Sequence, residues 1–133
     1  MTERNIIIMD KIVDELAAGK TLSKALRTVY YKRNVEIPYC KTITAIPTLS
    51  LNLSVRSHNA LMNAGLKTVE DIITYASTHP GFVGVKNFGR TSGIEVLETI
   101  LDISWEHLNK KKRTECLIDI VVRNQFNIRK GLM

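Results

Sequence analysis

Apolar positions recur at helical spacing in several blocks along the sequence, each opened by a capping residue and closed by a glycine or proline. Ile8, Ile12, Val13, Leu16 and Ala17 share one face of a helix expected over Asn5 to Ala18, with Gly19 as its stop. Thr21 caps a second helix expected to reach about Lys32, with Leu22, Ala25, Leu26, Val29 and Tyr30 inward. Two short helices joined through a glycine form a helical hairpin or the first half of a helix-turn-helix. A docking or dimerisation hairpin is the plainer reading. The apolar faces exceed what two isolated helices can bury, so a central domain, a second copy or another protein must cover them. Asn34 to Ile46, with Pro38 and Pro47 as breakers, reads as extended. A linker and a short edge strand both fit.

From Leu49 the pattern tightens. Ser54 is an N-cap for a helix over Val55 to Asn63, and Ala64-Gly65-Leu66 is a turn that needs glycine for a left-handed backbone. Thr68 caps a helix from Val69 to about Ala76, with Glu70 and Asp71 in its first turn. Ser77 to Gly84 reads as a loop. Asn87-Phe88-Gly89-Arg90 is a second glycine turn, opening a helix from about Thr91 to Leu101 with Ile94, Val96, Leu97, Ile100 and Leu101 on its apolar faces. Trp105 to Phe126 forms the last block. Its Lys110 to Arg113 cluster precedes Leu117, Ile118, Val121, Val122 and Phe126, which share a helical face. The β-branched residues of Leu117 to Val122 make a strand the rival there. The expected fold is all-α: a compact helical bundle with helix-hairpin-helix-like turns over residues 47–104. An N-terminal helical pair and linker (1–46) and a basic, amphipathic C-terminal helix (105–133) flank it.

Charge refines this picture. The net charge is +6, a balance compatible with a nucleic-acid partner. Residues 47–104 hold four Lys/Arg against five Asp/Glu, so the positive excess lies in the flanks. Cys40 and Cys116 form no CxxC pair, and His58, His79 and His107 show no ligand spacing. No metal site or cofactor is expected. Nothing groups a nucleophile with a base, so no catalytic residue is expected either. The apolar run Ile6 to Met9 is too short for a signal peptide or a membrane span. A cytoplasmic protein without membrane contact is expected.

Three motifs carry a specific resemblance. Leu53-Ser54-Val55-Arg56-Ser57-His58-Asn59-Ala60-Leu61, then Gly65-Leu66-Lys67-Thr68-Val69-Glu70-Asp71-Ile72, then Val85-Lys86-Asn87-Phe88-Gly89-Arg90-Thr91-Ser92-Gly93-Ile94-Glu95-Val96 follow one another in order. Together they resemble the C-terminal domain of the bacterial RNA polymerase alpha subunit, with an expanded loop between the second and third. The resemblance implies a non-catalytic, transcription-related protein whose partner is A/T-rich duplex DNA. In that family the opening Arg, here Arg56, enters the minor groove, and Asn59 holds the position of a groove-contacting Asn. Gly89 and Ser92 match the phosphate-contacting turn and helix start, with Arg90 as the basic residue between. Glu95 matches an acidic residue that orients the Arg side or meets partner proteins. Thr91 stands where the family has a DNA-contacting Lys, and Gly93 follows inside the first helical turn.

The physics agrees with the carried-over roles. An Arg at the start of a short helix, flanked by small residues, reaches a narrow electronegative groove. The basic flanks would add affinity that ignores sequence. A different class of function uses the same fold as an adaptor that docks on RNA polymerase, a sigma factor or an activator, and the near-neutral centre favours it. Association of two copies through the N-terminal helices is a further expectation.

Overall fold

The computed structural model describes residues 1–31 and 43–132. Among them are six α-helices and no strand: α1 (Glu3–Ala17), α2 (Leu22–Val29), α3 (Val55–Asn63), α4 (Val69–Thr78), α5 (Arg90–Glu106) and α6 (Lys110–Arg123). The all-α expectation is met, and none of these helices is long and apolar enough to cross a membrane. The protein folds as two compact units, one of Met1–Tyr39 with Leu108–Met133, the other of Cys40–His107. The two flanks, distant in sequence, therefore belong to one body.

In the first unit each helix start is capped by its own side chain. Thr2 accepts from Asn5 N at 3.1 Å, Thr21 from Lys24 N at 3.3 Å and Asn109 from Lys112 N at 2.9 Å. Replacing such a cap by alanine costs ~1 kcal/mol. α1 packs on α2 and on α6. Ile8 and Ile12, Leu22, Ala25, Leu26 and Val29, and Leu117, Ile120 and Val121 are all buried. Full burial of each large apolar side chain stabilises by roughly 1.5–3 kcal/mol before ordering entropy is subtracted. The inward face of the hairpin thus finds cover in the protein's own C-terminal helix. Val13 is exposed and Leu16 only half-buried, because α1 turns the Ile8–Ile12 line inward. α2 stops at Val29, short of Lys32. Tyr30 is extended and bridges Ile128 in antiparallel fashion, with Arg129 N donating to Val29 O at 2.8 Å. α6 is a helix, not a strand, and its inward line is Leu117, Ile120, Val121 and Asn124. Ile118, Val122 and Phe126 face out instead, Phe126 at 94% exposure.

The second unit surrounds a core of Ile43, Leu51, Leu61, Leu66, Val69, Ile72, Phe82, Val85, Val96 and Ile100. α3 begins at Val55 behind Ser54, whose Oγ accepts from Ser57 N at 3.2 Å. Gly65, at φ +79°, makes the turn to α4. Thr68 and Asp71 form a capping box, each side chain accepting from the other's backbone N–H. α4 runs two residues beyond Ala76, because Ser77 and Thr78 hydroxyls donate to Thr74 O and so stay within the helix. The expected Ser77–Gly84 loop is consequently shorter, and Pro80–Phe82 within it form a 3-10 turn. Of the extended segment expected over Asn34 to Ile46, residues 34–42 lie outside the described ones. Further along, Thr48 N donates to Lys67 O and Thr48 Oγ1 to Leu66 O, locking Pro47 opposite Thr68.

α5 runs through Ser104 and Trp105 to Glu106, well past Leu101. Gly93 is buried inside its first turns. A Cβ there would lie 3.0 Å from Phe82 Cδ2 and 3.7 Å from Phe88 Cε2. The glycine that is poor for helix propensity is what lets the Phe82 ring close onto α5.

Candidate nucleic-acid interface

The first and third motifs are brought together by hydrogen bonds between residues distant in sequence. Ser54 N donates to Glu95 Oε1 at 2.8 Å, and Ser57 Oγ donates more weakly to Glu95 Oε2 at 3.5 Å. Arg56 Nε donates to Asn87 O at 3.3 Å. These links span 41, 38 and 31 positions of the sequence. They set the start of α3 beside the turn that opens α5.

Asn87 supplies its carbonyl from a left-handed backbone, φ +60°, which Asn tolerates better than most residues. The expected glycine turn thus takes its positive φ from Asn87, while Gly89 is extended at φ −91°, ψ −177°. Gly89 serves instead as the N-cap of α5, and a Cβ there would meet nothing within 4 Å. Asn87 stands in the third motif with no role expected of it from sequence. An Asn two residues ahead of a helix-opening glycine is the signal that points to it.

The three helix starts of this unit differ in what they leave open. At α3, the Glu95 carboxylate accepts from Ser54 N and the Ser54 hydroxyl from Ser57 N, which leaves the amides of Val55 and Arg56 open among the described residues, and the carboxylate suits the positive end of the helix dipole. At α4, Val69 N donates to Ile46 O, Glu70 N to Thr44 O and Asp71 N to Thr68 Oγ1. The Gly65 turn before it is equally closed, with Lys67 N and Thr68 N both donating to Asp71 Oδ2. At α5, Gly89 offers no side-chain cap and the first turn holds no acid. Among the described residues no hydrogen-bond partner serves the amides of Arg90, Thr91 and Ser92. Of the two glycine turns, the second is, among the described residues, the one that opens onto three free backbone donors.

Around that open start, Arg56, Asn59, Lys86, Arg90 and Thr91 are exposed and Ser92 is half-buried. Asn59 lies one turn after Arg56 on α3, and so on the same face. Among the described residues Arg56 makes its one bond to Asn87 and no ion pair, and Arg90 makes neither. Glu95 sits on the α3 side, turned to Ser54 and Ser57 rather than to Arg56. It therefore fixes the helix that carries the Arg instead of neutralising it. The surface combines open backbone N–H groups with three cations, Arg56, Lys86 and Arg90, none of them ion-paired among the described residues. Such a surface can hold phosphate oxygens and present a guanidinium to a groove. Among the described residues no cluster of His, Cys, Asp and Glu could hold a metal ion.

A family model described as the C-terminal domain of the bacterial RNA polymerase alpha chain matches residues 39–112. The DNA-directed RNA polymerase subunit alpha of Gloeobacter violaceus is 38% identical over 71 residues, covering 53% of this protein and 22% of that subunit. Its counterpart in Chlorokybus atmophyticus is 37% identical over 73 residues, 55% of this protein and 22% of the subunit. The subunit of Gracilaria tenuistipitata var. liui is 29% identical over 128 residues, 83% of this protein and 40% of the subunit. The protein thus spans about a fifth of the length of the first two relatives. No solved structure matches it.

Proposed function

The protein belongs to the family of the C-terminal domain of the bacterial RNA polymerase alpha subunit, and from that premise we propose that it is a transcription-related DNA-binding protein that contacts A/T-rich duplexes. Arg56 enters the minor groove, with Asn59 beside it. The amides at the start of α5, from Arg90 to Ser92, hold a backbone phosphate, and Gly89 keeps the approach clear of side chains. Arg90 and Lys86 add charge at the flank. Glu95 orients α3 through Ser54 and so aims Arg56. The family domain is a non-catalytic part of the polymerase, and the role proposed here is likewise binding.

The observation that carries the reading is the pairing of Arg56 with the start of α5, the one helix start among the described residues of its unit that has no side-chain cap and leaves its first three amides open. The two come from motifs some thirty residues apart and meet on one surface. Amide chemical-shift mapping with an A-tract duplex tests it. Within the unit of Cys40–His107, perturbations should concentrate at residues 54–59 and 86–92 and spare the start of α4, where Asp71 N and the preceding turn are already engaged. Perturbations centred on α4 would refute this assignment.

A second reading has one observation behind it. The unit of Cys40–His107 carries five Lys/Arg against six Asp/Glu, a net −1, which suits an adaptor that docks on RNA polymerase, a sigma factor or an activator. Under that reading the same titration with DNA leaves the amides of this unit in place, and a polymerase subunit shifts them.

A further inference from the structure

The positive charge of this protein has a definite address. The unit built from Met1–Tyr39 and Leu108–Met133 holds fourteen Lys/Arg against seven Asp/Glu, a net +7. The other unit is slightly negative, so the whole excess lies in the body that lacks the groove-facing motifs. Several of its acids are occupied locally: Glu15 pairs with Lys20, Glu115 with Lys112 at 3.4 Å and Asp119 with Arg123 at 2.7 Å.

The cations gather at two places. Lys110, Lys111, Lys112 and Arg113 fill the first turn of α6, where there is no acidic residue. That is the positive end of the helix dipole, so the placement works against the helix unless an anion approaches. The second place is made by tertiary structure. Tyr31 N donates to Asn127 O at 3.3 Å, Arg129 N to Val29 O at 2.8 Å and Arg129 Nε to Arg27 O at 2.8 Å. The Arg129 guanidinium also lies 5.6 Å from the centroid of the Tyr31 ring. Arg27 and Arg129 are thus drawn to one end of α2, with exposed Lys130 next in sequence. The first place is the opening turn of α6 and the second follows its end in sequence, and the helix's fourteen residues rise roughly 20 Å.

We propose that this three-helix unit is a second, sequence-indifferent DNA-binding body that grips the duplex phosphate backbone through the start of α6 and the Arg27–Arg129 end. A single phosphate or small anion cannot engage sites that far apart; a regularly charged polyanion can. Exposed lysine clusters are depleted in protein–protein interfaces and common against phosphates, which favours DNA over an acidic protein. This grip is independent of the Arg56 contact, since each body contributes its own contacts. Tethered together, they raise one another's effective concentration on the same duplex.

The test measures fluorescence anisotropy of full-length protein with an A-tract and a mixed duplex across a potassium chloride series. The variant Lys110→Gln/Lys111→Gln/Lys112→Gln should bind both duplexes at least about tenfold more weakly at 0.1 M salt. Its slope of log affinity against log salt should fall by roughly 2–3. Its melting temperature without DNA should hold or rise, because like charges leave the wrong end of a dipole. Arg129→Gln/Lys130→Gln should lower the slope by a further unit or two, about one per phosphate contact. Arg56→Ala, by contrast, should erase A-tract preference and change the slope by no more than about one. Parent-like slopes in both lysine and arginine variants overturn the proposal. A defect confined to the A-tract duplex in the lysine variant overturns it too, whatever Arg56→Ala does.

Discussion

Alanine at Gly93 sets two effects of opposite sign against each other, and the structure decides between them. Helix propensity favours Ala over Gly by about 1 kcal/mol in a helix interior. Against this, the new methyl would stand 3.0 Å from Phe82 Cδ2 and 3.5 Å from Phe82 Cε2. The nearer of these is well inside van der Waals distance, so the ring must move. Phe82 has little room to do so. It is 2% exposed, sits on a backbone at φ +59°, and is flanked by Phe88 at 5.0 Å and Tyr75 at 6.4 Å between ring centroids. Overpacking of this kind costs roughly 1–3 kcal/mol. The net expectation is a loss of about 1 kcal/mol, read as a melting temperature lower by roughly 4–8 °C, with urea unfolding giving the same sign. Phe82→Leu should relieve the clash, so that Ala at 93 becomes neutral or stabilising in that background. A Gly93→Ala protein that melts higher than the parent refutes the account of why glycine stands there.

Two further outcomes follow from the same structure. Thr91→Lys places a cation at the open start of α5 and should tighten duplex binding, adding about one released counterion to the salt slope; an unchanged titration means that this helix does not face DNA. Burial pushes the Tyr30 hydroxyl up to about 12 from 10.0, and among the described residues it has no hydrogen-bond partner. The neutral form is the one the fold favours. The resulting stability is therefore complete below pH 10 and fades as pH rises from 10 towards 12, by roughly 2 kcal/mol in all. Tyr30→Phe should abolish that pH dependence in a thermal melt and leave neutral-pH stability equal or higher.

Local chemistry made part of the fold readable and long-range geometry hid the rest. Ser54, Thr68 and Thr21 announce helix starts because their hydroxyls can accept from the amide three residues on, and each does so. The glycine at 65 had to turn left, and it does. The inward face of α6 was not legible. Leu117 with Val121 and Ile118 with Val122 are equally apolar pairs at helical spacing, and only the position of α1 selects the first. The cover of the N-terminal hairpin was hidden for the same reason, since Val29 and Arg129 lie about a hundred residues apart. At the candidate site, Arg56, Asn59 and the start of α5 could be named from their motifs. Their juxtaposition, the carbonyl of Asn87 and the closure of the Gly65 turn by Asp71 required coordinates. Gly93 looked like a defect until the ring of Phe82 was seen beside it.

Duplex affinity of Arg56→Ala tests the central claim most directly. Arg56 is exposed and bonded only to the Asn87 carbonyl among the described residues, so its removal should leave the fold intact by circular dichroism, within about 0.5 kcal/mol. Binding should weaken by ~1–3 kcal/mol, most on A-tract duplexes, whose narrow groove concentrates negative potential. Arg56→Lys should restore only part of the loss, because an ammonium sheds water less readily than a guanidinium. A folded Arg56→Ala protein that binds A-tract and mixed duplexes as tightly as the parent would contradict the account.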